Sequence, residues 1–409
     1  MNTADIAIIG GGIIGMSCAY ELARQSDARV VVFEKTQLGA GTTGGSAGVI
    51  CLHDMGAIYA QLTLLGFDRI QQLRREHGFQ FQSWGLLNLV YDNGTFPVPL
   101  SAYEQRFGGG AGSIYAREDI APDALAQRFP WIKLERVVGA SLYPNQGFID
   151  THELVSLYER LAIQTGRVTI QRNTPVLQLR VDDGRIHTVV TRKGAWQVGR
   201  VVNAGGPWGA KVAALAGSVL ALTPQRIQVC VATAFDETNV KDAPLFGAPE
   251  NVNGEGVWCR GEVGGTLLFG QHHNTTRPEY TVDPDYVNRM NDDSYPNDVA
   301  QVYTRFFHLP KSVFLNGWCC VYGTTQDGFP IISRDERVEN FYHAVGMNGH
   351  GMTCHAGVAL ATAELVLRGG TSIDLAPILG KTDVLDFAPL HMGRFATGER
   401  SALLDFELR

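Results

Sequence analysis

Three glycines, Gly10, Gly12 and Gly15, stand near the N-terminus in the spacing G-x-G-x-x-G, and an acidic residue, Glu34, follows. This pattern suits the diphosphate of a dinucleotide. The first glycine permits a tight turn, the second lets backbone approach the diphosphate, and the third lets a helix pack closely on its strand. The N–H groups and partial positive charge of the helix N-terminus then face the phosphates. An acid about 20 residues on, at the end of a second strand, is placed to accept a bond from a ribose hydroxyl. A lone G-x-G-x-x-G is a weak signal. With strand, helix and acid in register it is strong, and a glycine turn in an unrelated α/β fold is the poorer reading. The motif does not separate one dinucleotide from another.

Two more glycine-rich turns have the same strand-to-helix setting. Asn348-Gly349-His350-Gly351-Met352 follows the apolar run Phe341–Val345 and precedes the helical pattern Thr353–Arg368. A helix N-terminus there suits the negative charge at the pyrimidine edge of a reduced flavin; an ordinary strand–helix turn is the equal alternative. Asn203-Ala204-Gly205-Gly206-Pro207-Trp208 also ends a strand and starts a helix, with Pro207 at a favoured first helical position. Its small residues either admit a cofactor against the backbone or make a tight packing turn.

The elements that must carry these turns are legible from periodicity. Ile6–Ile9, Met16–Gln25 and Arg29–Glu34 read as strand, helix and strand, one βαβ unit. A glycine/threonine loop, Gly39–Gly48, leads to a helical stretch from about Tyr59 to His77. Thr151–Gly166 places Leu154, Leu157, Tyr158, Leu161 and Ala162 on one helix face. Val168–Ile170, Val176–Val181, His187–Thr191 and Trp196–Asn203 read as strands, with a hairpin turn at Asp183-Gly184. Helical segments are thus interrupted twice by β-rich ones. The expected class is α/β plus β-rich: a Rossmann-like dinucleotide-binding domain, discontinuous over 1–79, 146–223 and 326–380, and a mixed β-sheet substrate domain over 80–145 and 224–325. Residues 381–409 form a tail with little pattern.

Composition agrees with two domains, since 409 residues exceed the roughly 100–200 of one domain. The 47 glycines cluster at the turns named above and in Gly39–Gly48, which marks backbone approaching a ligand. A net charge of −7 without any Lys/Arg-rich run argues against nucleic acid as a partner. Seven cysteines and no C-x-x-C pair argue against a disulfide framework or structural zinc, so no metal is expected. No stretch approaches the roughly 18 apolar residues of a membrane span, and Asp5 followed by a glycine turn is wrong for a signal peptide. A cytoplasmic location is the expectation, and association into a homo-oligomer stays open.

Order and spacing together resemble the D-amino-acid oxidase/sarcosine oxidase/glycine oxidase superfamily of FAD enzymes. The matching stretches are Ile6–Glu34, the loop Gly41-Thr42-Thr43-Gly44-Gly45-Ser46-Ala47-Gly48, Asn173–Val181, Val201–Trp208, Asp327-Gly328-Phe329-Pro330 and Phe341–Leu367. The resemblance implies FAD as cofactor. Gly10, Gly12, Ile14, Gly15 and Glu34 would hold its adenosine diphosphate half, and Thr42, Thr43 and Ser46 would pass the ribityl and flavin region. Val176 would meet the adenine through its backbone, Gly205 and Trp208 would lie against the cofactor, and Gly349, His350, Gly351 and Met352 would contact the flavin. The implied reaction is oxidation of a C–N bond in a small amine or amino acid, by hydride transfer to flavin N5 and hydrolysis of the resulting imine. Electrons would pass to oxygen, or to a quinone or other acceptor. In the segment Cys320-Val321-Tyr322-Gly323-Thr324-Thr325-Gln326-Asp327, Cys320 stands where the sarcosine oxidase branch holds FAD covalently. A thiolate can add to the flavin methyl carbon; a buried core cysteine is the alternative.

The chain departs from the family where the substrate would be gripped. Positions that carry carboxylate-binding cations in relatives hold Cys51, Thr353 and Tyr322 here. A buried carboxylate needs a cation or several donors, so Arg226 and Arg260 are the substitutes considered. The strand Leu267–Gln271 lacks the lysine that oxidases of the branch place over the flavin, and no lysine occurs between Lys241 and Lys311. His272, Tyr322 and His350 are the residues expected around the reacting carbon, as positioning and polarising groups; His273 should point away from His272. Two other functions share the fingerprint. One is an FAD-dependent 2-hydroxy acid (alcohol) dehydrogenase, which needs a base such as His272 or His350. The other is an FAD-bearing subunit of a larger complex.

Overall fold

Strand β1 (Asn2–Ile9), helix α1 (Ile13–Gln25) and strand β2 (Val30–Phe33) form the opening βαβ unit. The structure is a computed structural model that describes residues 2–51, 56–92, 106, 108, 110–233, 240, 242–248, 256–272, 278–308, 311–380 and 382–395. β1 pairs in parallel with β2 on one side and with Gly194–Asn203 on the other. All four residues of β2, Val-Val-Val-Phe, are buried, as a parallel strand covered on both faces requires. The sheet continues from Gly194–Asn203 to Phe341–Val345, again in parallel, and ends at the antiparallel Ile331–Arg334; beyond β2 lies Val168–Gln171. Asp183 and Gly184, both at positive φ (47° and 72°), turn the hairpin that joins Val176–Asp182 to Arg185–Thr191.

This topology explains the three glycine turns. β1, Gly194–Asn203 and Phe341–Val345 are adjacent and run the same way, so Gly10, Ala204–Trp208 and Gly346–Gly351 all lie at their carboxyl ends. In open α/β sheets, ligands bind in the crevice there. Behind the sheet, α1 packs against Thr151–Gln164 and Gly351–Arg368, and Ala57–His77 packs on Gly351–Arg368. The last contact is close: a Cβ on Gly66 would lie 1.8 Å from the Thr353 carbonyl oxygen, so only glycine fits.

Among the described residues the second sheet has eight strands, in the order Val313–Thr324, Thr223–Thr233, Thr266–His272, Gly256–Gly261, Leu245–Ala248, Leu86–Tyr91, Val137–Tyr143 and Glu118–Ile120. One pair, Leu245–Ala248 with Leu86–Tyr91, is parallel and the others antiparallel. It has its own core, including Leu87, Phe246, Phe269 and Trp131. The β-sheet reading of 224–325 misses one helix, Tyr295–Phe306, which buries Tyr295, Val299 and Tyr303 at intervals of one turn. The tail has more order than its sequence suggests: Val384–Asp386 pairs with Ser372–Asp374. Among the described residues no helix is long and apolar enough to cross a membrane.

Helix Gly351–Arg368 carries a pH-sensitive group in the core. His355 is fully buried, with Nδ1 2.7 Å from the Met352 carbonyl and Nε2 2.9 Å from the Tyr158 hydroxyl. Burial holds its imidazole at about 4, well below the ordinary value. The unfolded chain therefore takes up this proton near pH 6.5 and the folded one only near 4. Stability from His355 is complete above about pH 6.5 and falls, by about 2–3 kcal/mol, between 6.5 and 4. Melting temperature measured across that window should drop less in His355→Gln than in wild type. Parallel pH curves for the two would count against this assignment.

Candidate active site

The carboxyl ends of the three parallel strands open onto a cavity of about 650 Å³, within the range of small-molecule and cofactor sites. Gly10 takes φ +115°, and a Cβ there would lie 2.3 Å from the Ala204 carbonyl oxygen; one on Gly15 would lie 1.9 Å from the Gly10 carbonyl oxygen. These two glycines therefore serve strand, turn and helix packing. Gly12 differs, because a Cβ there would meet only Thr43 Oγ1, at 3.1 Å. The space next to Gly12 is cavity, which a diphosphate against the α1 N-terminus requires.

The walls follow from the same elements. Gly12 offers no side-chain cap, and Thr43 Oγ1 instead accepts the Ile13 N–H at 3.1 Å. The Glu34 carboxylate lines the cavity and is fixed by the Gly11 N–H on Oε2 and the Thr36 N–H on Oε1, each at 2.8 Å. Oε1 also accepts the Thr36 hydroxyl at 3.2 Å, so Oε2 keeps the lone pair for a ribose hydroxyl. Thr42 donates to the Val321 carbonyl and so ties the loop to the second sheet. Gly10, Gly12, Ile14, Glu34, Thr42, Thr43, Ser46, Val176, Gly205, Trp208, Gly349, Gly351 and Met352 all line this one cavity, with Tyr322. Gly349–Met352 sits at an uncapped helix N-terminus. Beside it, Asn348 at φ +49° accepts the Thr325 N–H at 2.8 Å and donates to the Gly346 carbonyl. These residues fit a dinucleotide whose second half reaches the second sheet.

Other expected site residues lie elsewhere. Gly15 packs under the turn and is not part of the lining. His350 is buried beneath the loop, its ring 5.3 Å from that of Tyr59, so its side chain does not face the cavity. Cys320 is also buried and off the lining. A Cβ added at Gly45 would lie 2.5 Å from the Cys320 Cβ, and burial pushes its thiol up to about 12, away from the reactive thiolate. The two arginines are corrected as substrate ligands. Arg226 is held by Asp292 (2.9 Å) and the carbonyls of Asn288 and Met290. Arg260 is buried against Phe148 and bonds the Ala47 and Gly261 carbonyls and Glu262. Both guanidiniums are spent on the protein, and neither lines the cavity. His272 ends the strand Thr266–His272, but its side chain, like all of His273, lies outside the described residues. Tyr322 does face the cavity, and burial raises its phenol above the ordinary range.

Sequence reasoning missed the rim. Asp285 accepts from Trp208 Nε1 (2.6 Å), Lys35 Nζ (3.1 Å) and Lys211 Nζ (2.6 Å), and Lys35 lies 3.5 Å from the Trp208 ring centroid. Burial raises the Asp285 carboxyl, but these three donors outweigh it and hold the group at about 2. The partners lie 74 to 250 residues from Asp285 in the chain, so no local pattern announces them.

The model of the FAD dependent oxidoreductase family, DAO, matches residues 5–365. The chain belongs to this family. Its cofactor is FAD, and the lining residues at the strand ends would hold it. The chain is 24% identical to glycine oxidase of Geobacillus kaustophilus, covering 91% of this chain and 95% of that one. Human mitochondrial dimethylglycine dehydrogenase is 23% identical over 91% of this chain, which spans 44% of that relative's length. Among solved structures, L-proline dehydrogenase from P. horikoshii superposes with a TM-score of 0.77 at 23% identity, over 97% of this chain and 99% of that one.

Proposed function

We propose that this FAD dependent oxidoreductase oxidises a C–N bond in a small amine or amino acid, giving an imine that hydrolyses. The observation that carries the reading is the single cavity in which the dinucleotide turn, the uncapped helix N-terminus at Gly351 and Tyr322 of the second sheet meet. Relatives named for glycine, dimethylglycine and L-proline support the substrate class. FAD, when bound, supplies the hydride acceptor. The chain's own residues orient and enclose: the Gly351 helix end favours negative charge at the ring edge, and Tyr322 lines the cavity as part of its wall. The Tyr322 phenol, raised by burial, is a poor base. Among the described side chains no histidine lines the cavity. An alcohol needs a base for its hydroxyl proton and a neutral amine does not; the relatives named for glycine and dimethylglycine favour the amine over the 2-hydroxy acid reading.

The test is anaerobic titration of the purified protein while the flavin's visible band is followed. Secondary amines or amino acids should bleach the band and 2-hydroxy acids should not; bleaching by hydroxy acids alone would replace the substrate class. Admitting air then separates the acceptors. With no lysine on the strand Thr266–His272, a cation that would stabilise superoxide is missing from it, so recovery of colour in air should be slow.

A further inference from the structure

Three cations line the cavity: Lys35, Lys211 and Arg289. Lys35 is committed to Asp285, and Lys211 to Asp283 (2.5 Å) and Asp285. Arg289 is exposed, and its guanidinium makes no ion pair or side-chain hydrogen bond among the described residues. The lining carboxylates are Glu34 and Asp285. Arg289 is thus the cavity's one uncommitted positive charge among the described residues.

Its place is fixed on both sides. Arg226 donates through Nε to the Asn288 carbonyl (3.1 Å) and through Nη2 to the Met290 carbonyl (2.6 Å), so it braces the residues that flank Arg289. The Arg289 carbonyl accepts the Cys319 N–H at 2.9 Å, at the edge of the strand Val313–Thr324. Two residues along, roughly 7 Å at strand rise, Val321 accepts from Thr42. The next residue, Thr43, accepts the Ile13 N–H at the start of α1. Arg289, between Tyr280 and Tyr295, is thus tied by its carbonyl to the strand that holds the Thr42–Thr43 loop, and it lines the same cavity as that loop and the α1 N-terminus.

We propose that Arg289 is a cofactor-binding residue that pairs with the diphosphate of FAD. The α1 N-terminus supplies only about half a unit of positive charge to a group that carries two negative ones. Arg289 adds a full charge and a forked donor suited to phosphate oxygens. The proposal rests on FAD occupying this cavity and extends that assignment to a residue outside the dinucleotide fold. It also gives Arg226 a positioning role in place of substrate contact.

The test is FAD affinity of the flavin-free protein, followed by quenching of flavin fluorescence. A Cys320→Ala background keeps any thioether from holding the flavin. Arg289→Ala should raise the Kd for FAD about 10–100-fold, the loss of one charge-assisted pair. The affinity of ADP as a competitor should fall by a similar factor, while that of adenosine stays unchanged. Arg289→Lys should recover part of the loss, and the salt dependence of Kd should flatten in Arg289→Ala. An FAD affinity within twofold of wild type overturns the proposal, as does unchanged FAD binding with a raised KM for the amine, which would place a substrate carboxylate on Arg289. Failure of the parent protein itself to bind FAD would remove the cofactor assignment, and the proposal with it.

Discussion

Gly12→Val should give a folded protein without flavin colour. A Cβ at Gly12 meets only Thr43 Oγ1, at 3.1 Å, so that side chain must give by a few tenths of an ångström, and the added methyls stand beside the cavity that Gly12 lines. They occupy the space where a diphosphate must approach backbone. FAD affinity should fall on the order of 100-fold or more, equivalent to about 3 kcal/mol. Purified protein should lack the visible flavin band while its far-UV circular dichroism and cooperative melting persist. Gly15→Ala is the control with the opposite outcome. Its Cβ would lie 1.9 Å from the Gly10 carbonyl oxygen, so helix and strand must part, and loss of soluble protein is expected. A yellow Gly12→Val protein would show that the phosphates lie elsewhere.

This pair of variants also marks what the sequence can reveal. Gly12 and Gly15 belong to one local motif, in which spacing dictates both the turn and the helix it feeds. The other two glycine turns were legible for the same reason, since each follows an apolar strand and opens a helix. That all three meet depends on two parallel pairings, of Gly194–Asn203 with β1 and with Phe341–Val345, a non-local fact that fold resemblance supplied and residue pattern did not. The residues misread are those whose meaning depends on partners distant in sequence. Arg226 and Arg260 look like free cations on β-rich segments, yet carbonyls and carboxylates consume both. His350 sits in the expected motif, but its ring turns toward Tyr59 in the core because the helix begins immediately after it. Conversely, Asp285 and Arg289 lie in a stretch without periodicity, and only the folded chain brings them to the cavity.

Arg394→Ala should cost about 3–5 kcal/mol, the usual penalty for leaving one half of a buried ion pair. Arg394 comes from the tail whose sequence shows little pattern, yet its side chain and that of Asp327 are 5% and 2% exposed. Nε meets Asp327 Oδ2 at 2.8 Å, and Nη2 meets Asp327 Oδ1 at 3.1 Å and the Phe329 carbonyl at 2.8 Å. The guanidinium thus fastens the Asp327-Gly328-Phe329-Pro330 turn. The same turn is held from the cavity side: Tyr59 donates to the Gly328 carbonyl (2.9 Å), Thr325 Oγ1 donates to the Phe329 carbonyl (2.7 Å), and the Thr325 N–H donates to Asn348. Losing Arg394 should therefore lower the melting temperature and also weaken FAD, because Asn348 is part of the cavity wall. Arg394→Lys should recover little, since an ammonium cannot reproduce the bidentate fork. The double variant Arg394→Met/Asp327→Asn should be more stable than Arg394→Ala, because no uncompensated buried charge remains. Equal melting temperatures for Arg394→Ala and wild type would mean that the tail is not fastened to this turn in solution.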